Sequence, residues 1–176
     1  MGSPSEAERV LDLTRSRPPT LGAGRLVCVD GPAGSGKTTL AAALDAPVVH
    51  MDDLIEGWTG LRTADAQLDG LLRPHASGQP GTYRRYDWVA GEYAETVVVP
   101  PAPLLVLEGV GAGSLAIADL VTVLVWVEAD HDVRMARGIE RDGDAFAPYW
   151  ETWAAEEAEE FARHRTRERA DLVLRT

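Results

Sequence analysis

The chain has 176 residues, which suits one compact domain with a sizeable core and leaves little room for a second. Its net charge of -11 argues against a nucleic acid polymer as a partner, because such binders concentrate lysine and arginine. No apolar run approaches the roughly 20 residues of a membrane span, and the amino terminus lacks the basic and apolar regions of a signal peptide. We therefore expect a globular cytoplasmic protein that has no membrane segment, with Cys28 as an inert core thiol.

Short apolar runs alternate with helical patterns along the chain, which is typical of a parallel sheet covered by helices. Residues 1–24 predict a helix from Ser5 to Arg17, opened by a Ser5–Glu8 capping box, and then a turn-rich linker. Residues 25–176 predict one α/β domain built on a doubly wound, parallel, five-stranded sheet. The predicted strands are Arg25–Asp30, Val48–Met51, Leu104–Glu108, Leu120–Val127 and Asp171–Leu174, with a small extra strand at Val97–Val99. The predicted helices are Lys37–Leu44, Ala64–Ala76, Asp130–Asp142 and Tyr149–Arg165.

A complete phosphate-binding loop, Gly-Pro-Ala-Gly-Ser-Gly-Lys-Thr, joins the first predicted strand to the next helix. Its glycines let successive backbone N–H groups point at phosphate oxygens, and the start of the helix adds its positive dipole end. Lys37 can reach the β and γ phosphates, and the Thr38 hydroxyl can ligate Mg²⁺. The sequence therefore predicts an ATP and magnesium site. The residues predicted to bind the nucleotide here are Gly31, Ala33, Gly34, Ser35, Gly36, Lys37, Thr38 and Thr39.

The loop alone is shared by kinases, GTPases and motor ATPases. A GTPase needs an Asn-Lys-x-Asp segment to read guanine, and the sequence contains none. Motor ATPases normally occupy a longer chain than this one. The remaining motifs therefore have to decide between a kinase and another nucleotide-dependent protein.

Acidic residues stand at the ends of two predicted strands, where open α/β sheets bind their ligands. Asp52 and Asp53 follow the second strand, and Glu108 ends the third. A kinase needs one carboxylate to take the proton of the acceptor hydroxyl and others to hold the metal. Adjacent residues of an extended chain point to opposite sides, so we expect only one of Asp52 and Asp53 to enter the site. Asp52 and Glu108 are therefore candidates for the base and for metal ligands beside Thr38.

Three arginines, Arg134, Arg137 and Arg141, share one face of the predicted helix 130–142. Such a helix could close over the nucleotide as a lid, spanning about residues 130–147, and stabilise the migrating phosphoryl group. The neighbouring face, with Val133, Ala136 and Ile139, is expected to pack on the body of the protein. The alternative is a solvated basic face that pairs with acidic neighbours, and the other motifs favour the lid.

Taken in order, these motifs resemble the uridine–cytidine kinase family of P-loop nucleoside kinases. The resemblance runs from about Arg25 to Asp142. Beyond the phosphate loop, it is carried by Met51-Asp52-Asp53, Tyr86-Asp87-Trp88, the strand ending in Glu108-Gly109, and the Arg134, Arg137, Arg141, Asp142 spacing.

The resemblance implies a P-loop kinase fold with a helical lid, and it implies roles for individual residues. Asp52 would be the catalytic base, assisted by Lys37 and Arg137, with Glu108 and Thr38 near the magnesium. The arginines of the lid would surround the phosphates. The residues implied to contact the acceptor are Asp52, Asp53, Arg84, Tyr86, Asp87 and Trp88.

The sequence departs from this family where the acceptor is read. Gly91 stands where the family places a base-reading histidine, so we expect uridine and cytidine to be poor substrates. Arg84 and Arg85 could bind an anionic acceptor or form an exposed loop pair, and Trp58 or Trp88 could cover a planar ligand.

We therefore expect a kinase that transfers the γ-phosphoryl group of ATP to a hydroxyl of a small molecule, with a nucleoside-like acceptor favoured. A non-nucleoside alcohol, a nucleoside monophosphate or a regulatory ATPase without an acceptor remain the alternatives. A homo-oligomer is compatible with the sequence.

Overall fold

A computed structural model describes residues 4–143 and 147–176, so parts of the predicted segment 1–24 and of the predicted lid 130–147 lie outside the described residues. The central sheet has five parallel strands in the order β2–β5–β1–β6–β7. The strands are β1 (Arg25–Asp30), β2 (Val48–His50), β5 (Leu104–Glu108), β6 (Val123–Glu128) and β7 (Leu172–Arg175). The predicted parallel five-stranded sheet is confirmed.

Helices pack on both faces of the sheet, because the strands are apolar on both sides. Successive residues of β1 alternate between the faces: Leu26 and Cys28 enter one core, and Val27 and Val29 enter the other. Cys28 is fully buried, and burial raises the pKa of its thiol, as expected for an inert core cysteine. The helices are α1 (Glu6–Ser16), α2 (Lys37–Ala43), α3 (Ala64–Ala76), α4 (His131–Asp142), α5 (Trp150–His164) and α6 (Thr166–Arg169).

Helix α1 begins with the predicted capping box, in which the Ser5 hydroxyl accepts from the Glu8 N–H and Glu8 accepts from the Ser5 N–H. Its apolar residues pack with α2 on the same face of the sheet. At its far end, Arg17 donates to the carbonyl of Thr122 and to Asp171, both just before strands begin. Helix α1 therefore runs antiparallel to the strands, and its first turn lies at their carboxyl edge.

An antiparallel hairpin replaces what the sequence predicted as one short strand at Val97–Val99. Strands β3 (Gly81–Asp87) and β4 (Glu92–Val99) pair along their length, with a register shift between Arg84 and Tyr86. The shift breaks the alternation of buried and exposed residues on which strand prediction depends. The strand predicted from Leu120 also begins later, because residues Leu115–Leu120 form a 3-10 helix.

A buried polar network joins α3 to α5. His164 accepts the Leu115 N–H at Nδ1, so its Nε2 carries the proton that bonds Glu160. Arg163 donates to Glu160 and also lies near Asp65, which accepts from the Ser114 hydroxyl. These groups pair with one another, so the network serves structure. Among the described helices, none combines the length and apolar character needed to cross a membrane.

Candidate active site

The phosphate loop leaves β1 and enters α2 through glycines that adopt left-handed backbone angles. Gly34 has a φ of 76° and Gly36, which precedes the first residue of α2, has a φ of 94°. A Cβ atom at Gly34 would also lie 2.5 Å from the carbonyl oxygen of Arg134 in α4. Only glycine therefore fits where the loop turns and the arginine helix approaches it.

Lys37 lies buried beneath this loop, where its Nζ donates to the Pro32 carbonyl at 2.9 Å. Burial lowers the pKa of Lys37, and the surrounding carboxylates of Asp30, Glu157, Glu108 and Asp52 act against that shift. The ammonium group therefore lies among four acids at the base of the loop, where it can hold phosphate oxygens.

Asp30, the last residue of β1, ties two loops together. Its fully buried carboxylate accepts the Gly31 and Gly111 N–H groups at one oxygen and the Gly113 N–H at the other, at 2.7, 3.1 and 2.8 Å. Burial raises the pKa of Asp30 to about 6, although these hydrogen bonds oppose the shift. Asp30 was not among the residues predicted from the sequence, although an acid that ends an apolar strand directly before the phosphate loop could have pointed to it.

The predicted metal ligands meet across the sheet between β1, β5 and β2. The Thr38 hydroxyl donates to Glu108 Oε1 at 3.2 Å, and His50 Nδ1 lies 2.5 Å from the same oxygen. Desolvation by the surrounding protein raises the pKa of Asp52. The charge of Lys37 opposes this rise, and the charge of Glu108 adds to it. Two carboxylates that repel each other beside a hydroxyl form an oxygen donor set that suits Mg²⁺.

Asp52 and Asp53 separate because residues Met51–Asp53 form a 3-10 helix rather than the end of a strand. Asp52 interacts electrostatically with Lys37 and Glu108, while Asp53 accepts a long hydrogen bond of 3.5 Å from the Tyr83 hydroxyl. The two carboxylates meet different partners, and a helical turn rather than an extended chain separates them.

Aromatic rings gather beside Asp52. Trp88 donates its Nε1–H to the Asp52 carbonyl at 2.9 Å, and its ring meets Trp58 and Tyr86 edge to face, with centroids 5.1 and 5.4 Å apart. Trp58 also stacks on Tyr149. These rings form an apolar wall next to the predicted base, where a planar acceptor could pack.

The polar residues of the hairpin are engaged within the hairpin itself. Arg84 donates to the carbonyls of Tyr93 and Ala94, and Arg85 pairs with Glu95. The Asp87 carboxylate accepts from the Val89 and Ala90 N–H groups and so closes the turn that contains Gly91, whose φ is 73°. The structure brings Tyr86 and Trp88 to Asp52, and it pairs Arg84 and Asp87 elsewhere.

Two of the three arginines of α4 donate to carbonyl groups of the phosphate loop. Arg134 donates to the Ala33 carbonyl, and Arg137 donates to the Gly34 carbonyl and to the Thr176 hydroxyl. Arg141 instead pairs with Asp142 at 2.6 Å and interacts with Asp52 only electrostatically. The prediction that Val133 and Ala136 pack on the body is wrong, since both are exposed. Arg134 turns inward, whereas Arg141 stays exposed and pairs with an acidic neighbour, as the alternative interpretation of this face expected.

Glu157 of α5 is a second residue that the sequence analysis missed. Its buried carboxylate accepts the Ala33 N–H of the phosphate loop at 2.9 Å and pairs with Arg134 at 3.5 Å. Burial raises the pKa of Glu157, opposed by the Ala33 hydrogen bond. Glu157 was not predicted as a site residue because it lies in the acidic run 156–160, and such runs usually form a solvated helix face.

Comparisons with known proteins identify similar sequences and structures. A model of the phosphoribulokinase/uridine kinase family matches residues 62–145. A uridine kinase from Halobacterium salinarum is 33% identical over 136 residues, which are 65% of this chain and 60% of that relative's length. A uridine kinase from Lactobacillus johnsonii is 28% identical over 141 residues, covering 66% of this chain and 67% of the relative.

Solved structures share the fold. A possible uridine kinase from Bacillus stearothermophilus superposes with a TM-score of 0.59 at 22% identity, over 94% of this chain and 99% of the other. A candidate fructose transport system kinase from Silicibacter sp. TM1040 does so with a TM-score of 0.54 at 21% identity, over 97% and 99%. In sequence the chain is similar to the uridine kinases, and it shares the fold of these solved structures.

Proposed function

We propose that the protein transfers the γ-phosphoryl group of ATP to a hydroxyl of a small, nucleoside-like molecule. One observation carries the proposal: Asp52 lies within electrostatic reach of Lys37 and Glu108 at the carboxyl edge of the sheet, against a wall of aromatic rings. A loop that only hydrolysed ATP would need no acceptor wall beside its base. The kinase names of the relatives support the same reaction class.

In this mechanism the chain holds the triphosphate and activates the acceptor. The loop N–H groups, Lys37 and the arginines of α4 bind the phosphates and balance the negative charge that develops during transfer. Asp52 takes the proton of the acceptor hydroxyl while the hydroxyl oxygen forms a bond to the γ-phosphorus. The bond between that phosphorus and the bridging oxygen of ADP then breaks. Mg²⁺ held by Thr38 and Glu108, with Asp52 nearby, would supply further charge neutralisation to the phosphates.

The acceptor side favours a neutral, planar molecule. Arg84 and Arg85 are paired within the hairpin, which weakens the case for a nucleoside monophosphate. Gly91 lies in the hairpin turn without a side chain to read a pyrimidine edge, and an unpaired polar edge costs about 1–3 kcal/mol on burial. We therefore propose that uridine and cytidine are poor acceptors, although relatives are named uridine kinases.

The test measures ADP release from ATP and Mg²⁺ with and without a panel of nucleosides, nucleoside monophosphates and other small alcohols. We expect release to depend on an acceptor, and uridine to stay below a kcat/KM of roughly 10⁴ M⁻¹s⁻¹, the ordinary enzyme range. Acceptor-independent release at the full rate would instead support a regulatory ATPase. Uridine turnover above that range would overturn the acceptor proposal and keep the kinase.

A further inference from the structure

A cavity of about 500 Å³ opens beside the phosphate loop, and its walls come from elements distant in sequence. Gly36 and Thr39 border it on the side of the loop and α2. The remaining walls include Glu6 and Ala7 of α1, Leu40 and Ala43 of α2, Val127 near the end of β6, and Thr176. The volume falls within the range of small-molecule sites in proteins.

The strand order shows which part of a nucleotide this cavity would meet. The phosphate loop follows β1, in the middle of the sheet, and Asp52 and Glu108 follow β2 and β5 on one side of it. The cavity lies on the other side, at the ends of β6 and β7. A triphosphate whose γ end faces Asp52 therefore directs its nucleoside toward the cavity.

The walls suit a purine ring. Leu40, Ala43 and Val127 present apolar surface to a ring face. Arg137 also borders the cavity, and its guanidinium is fixed by the Gly34 carbonyl at 3.3 Å and the Thr176 hydroxyl at 2.9 Å. A planar, fixed guanidinium can stack on an aromatic base.

Glu6 supplies an acceptor to the same space. It lies in the first turn of α1, which the Ser5–Glu8 capping box fixes and which the antiparallel course of α1 brings to the carboxyl edge. A carboxylate accepts hydrogen bonds and donates none, so it favours a base that carries an exocyclic amino group.

We propose that Glu6 of α1 accepts a hydrogen bond from the amino group of an aminopurine whose base enters this cavity. The inference rests on the proposed function, since it requires a triphosphate on the loop. Helix α1 then forms one wall of the nucleotide site, and the residues preceding β1 take part in choosing the nucleotide.

The experiment compares Glu6→Gln with Asp12→Asn, a charge-matched change on the exposed side of the same helix. Dissociation constants are measured for ATP, GTP, inosine triphosphate and inorganic tripolyphosphate, with Mg²⁺ present. We expect Glu6→Gln to weaken the better of ATP and GTP about fivefold, because the amide oxygen keeps a neutral hydrogen bond in place of the stronger one to a carboxylate. Inosine triphosphate, which lacks the amino group, and tripolyphosphate, which lacks the base, should bind as they do to the wild type.

A second variant, Ala43→Trp, fills the cavity from an exposed helical position. It should weaken every nucleoside triphosphate and spare tripolyphosphate. Equal affinities for Glu6→Gln and Asp12→Asn would overturn the role of Glu6, and unchanged binding by Ala43→Trp would overturn the cavity as the base site. If wild-type protein binds neither ATP nor tripolyphosphate, the proposed function itself fails, and that outcome is distinct from both.

Discussion

The two sides of the sheet's carboxyl edge are built differently. On the phosphate side, the contacts are largely with backbone: Asp30 accepts three N–H groups, Glu157 accepts one, and Arg134 donates to a loop carbonyl. On the acceptor side, partly exposed aromatic side chains meet one another beside Asp52. A phosphate site that is held by backbone contacts does not depend on which acceptor is used. A proposed acceptor site that is made of side chains can change its specificity by substitution, without any change in the phosphate loop.

The largest effect is expected on the phosphate side. Lys37→Ala should lower kcat on the order of a hundredfold or more, because it removes the cation that holds the transferring phosphate. The variant is compared with wild type by steady-state kinetics, and circular dichroism confirms that it is folded. Near-normal turnover in a folded variant would place the phosphates elsewhere.

The same residue allows an independent check, because Lys37 is the only lysine in the sequence. An amine-directed reagent therefore has one side-chain target besides the amino terminus. Mass spectrometry should show that ATP with Mg²⁺ slows modification of Lys37 and leaves the terminal amine unaffected.

A smaller but still large effect is expected where the two sides meet. Asp52→Asn should lower kcat strongly while leaving the dissociation constant of ATP nearly unchanged, because its partner is the acceptor hydroxyl. Asp53→Asn is the matched control, since Asp53 faces Tyr83 of the hairpin. An inactive Asp53→Asn beside a normal Asp52→Asn would reverse the assignment of the pair.

Glu108→Gln should raise the magnesium concentration needed for half-maximal rate, because it removes one charge from the proposed metal ligands. Glu128→Gln provides the comparison, since Glu128 ends β6 and is paired with Arg167 instead. Magnesium titrations of both variants decide the point, and equal titration curves would remove Glu108 from the metal site.

The smallest activity effect is expected on the aromatic wall. Trp88→Ala should raise the KM of a planar acceptor about three- to tenfold, the loss expected for an aromatic contact, and leave the KM of ATP unchanged. Val89→Ala, at the fully exposed tip of the same hairpin, should change neither constant. A Trp88→Ala variant that altered only the KM of ATP would show that the two sides are not independent.

The sequence predicted the phosphate side well, because glycine spacing and apolar runs encode local backbone shape. The bounds of β1 and α3 match their predictions, and Arg134 and Arg137 bond to the loop, whereas Arg141 pairs with Asp142. Glu157 and Asp30 were missed, since their partners are backbone groups that only folding brings close. The hairpin was missed because Arg84 and Arg85 look like loop residues until β4 supplies their partners.

Burial of Asp30 couples the phosphate loop to pH through thermodynamic linkage. A carboxyl whose pKa is raised to about 6 in the fold, from an ordinary 3.8, binds protons more readily when folded. Its contribution to the free energy of unfolding therefore falls as pH rises from 3.8 to about 6, by on the order of 3 kcal/mol. At neutral pH the Asp30 carboxylate is therefore ionised, although burial in the core disfavours its charged form.

Protonation would leave that carboxyl with less acceptor capacity for three N–H donors, so the segment 111–113 should loosen from the loop below pH 6. Amide hydrogen exchange at Gly111 and Gly113, measured on either side of pH 6 and corrected for intrinsic rates, checks this coupling. Equal protection at both pH values would show that the Asp30 carboxyl does not titrate in this range.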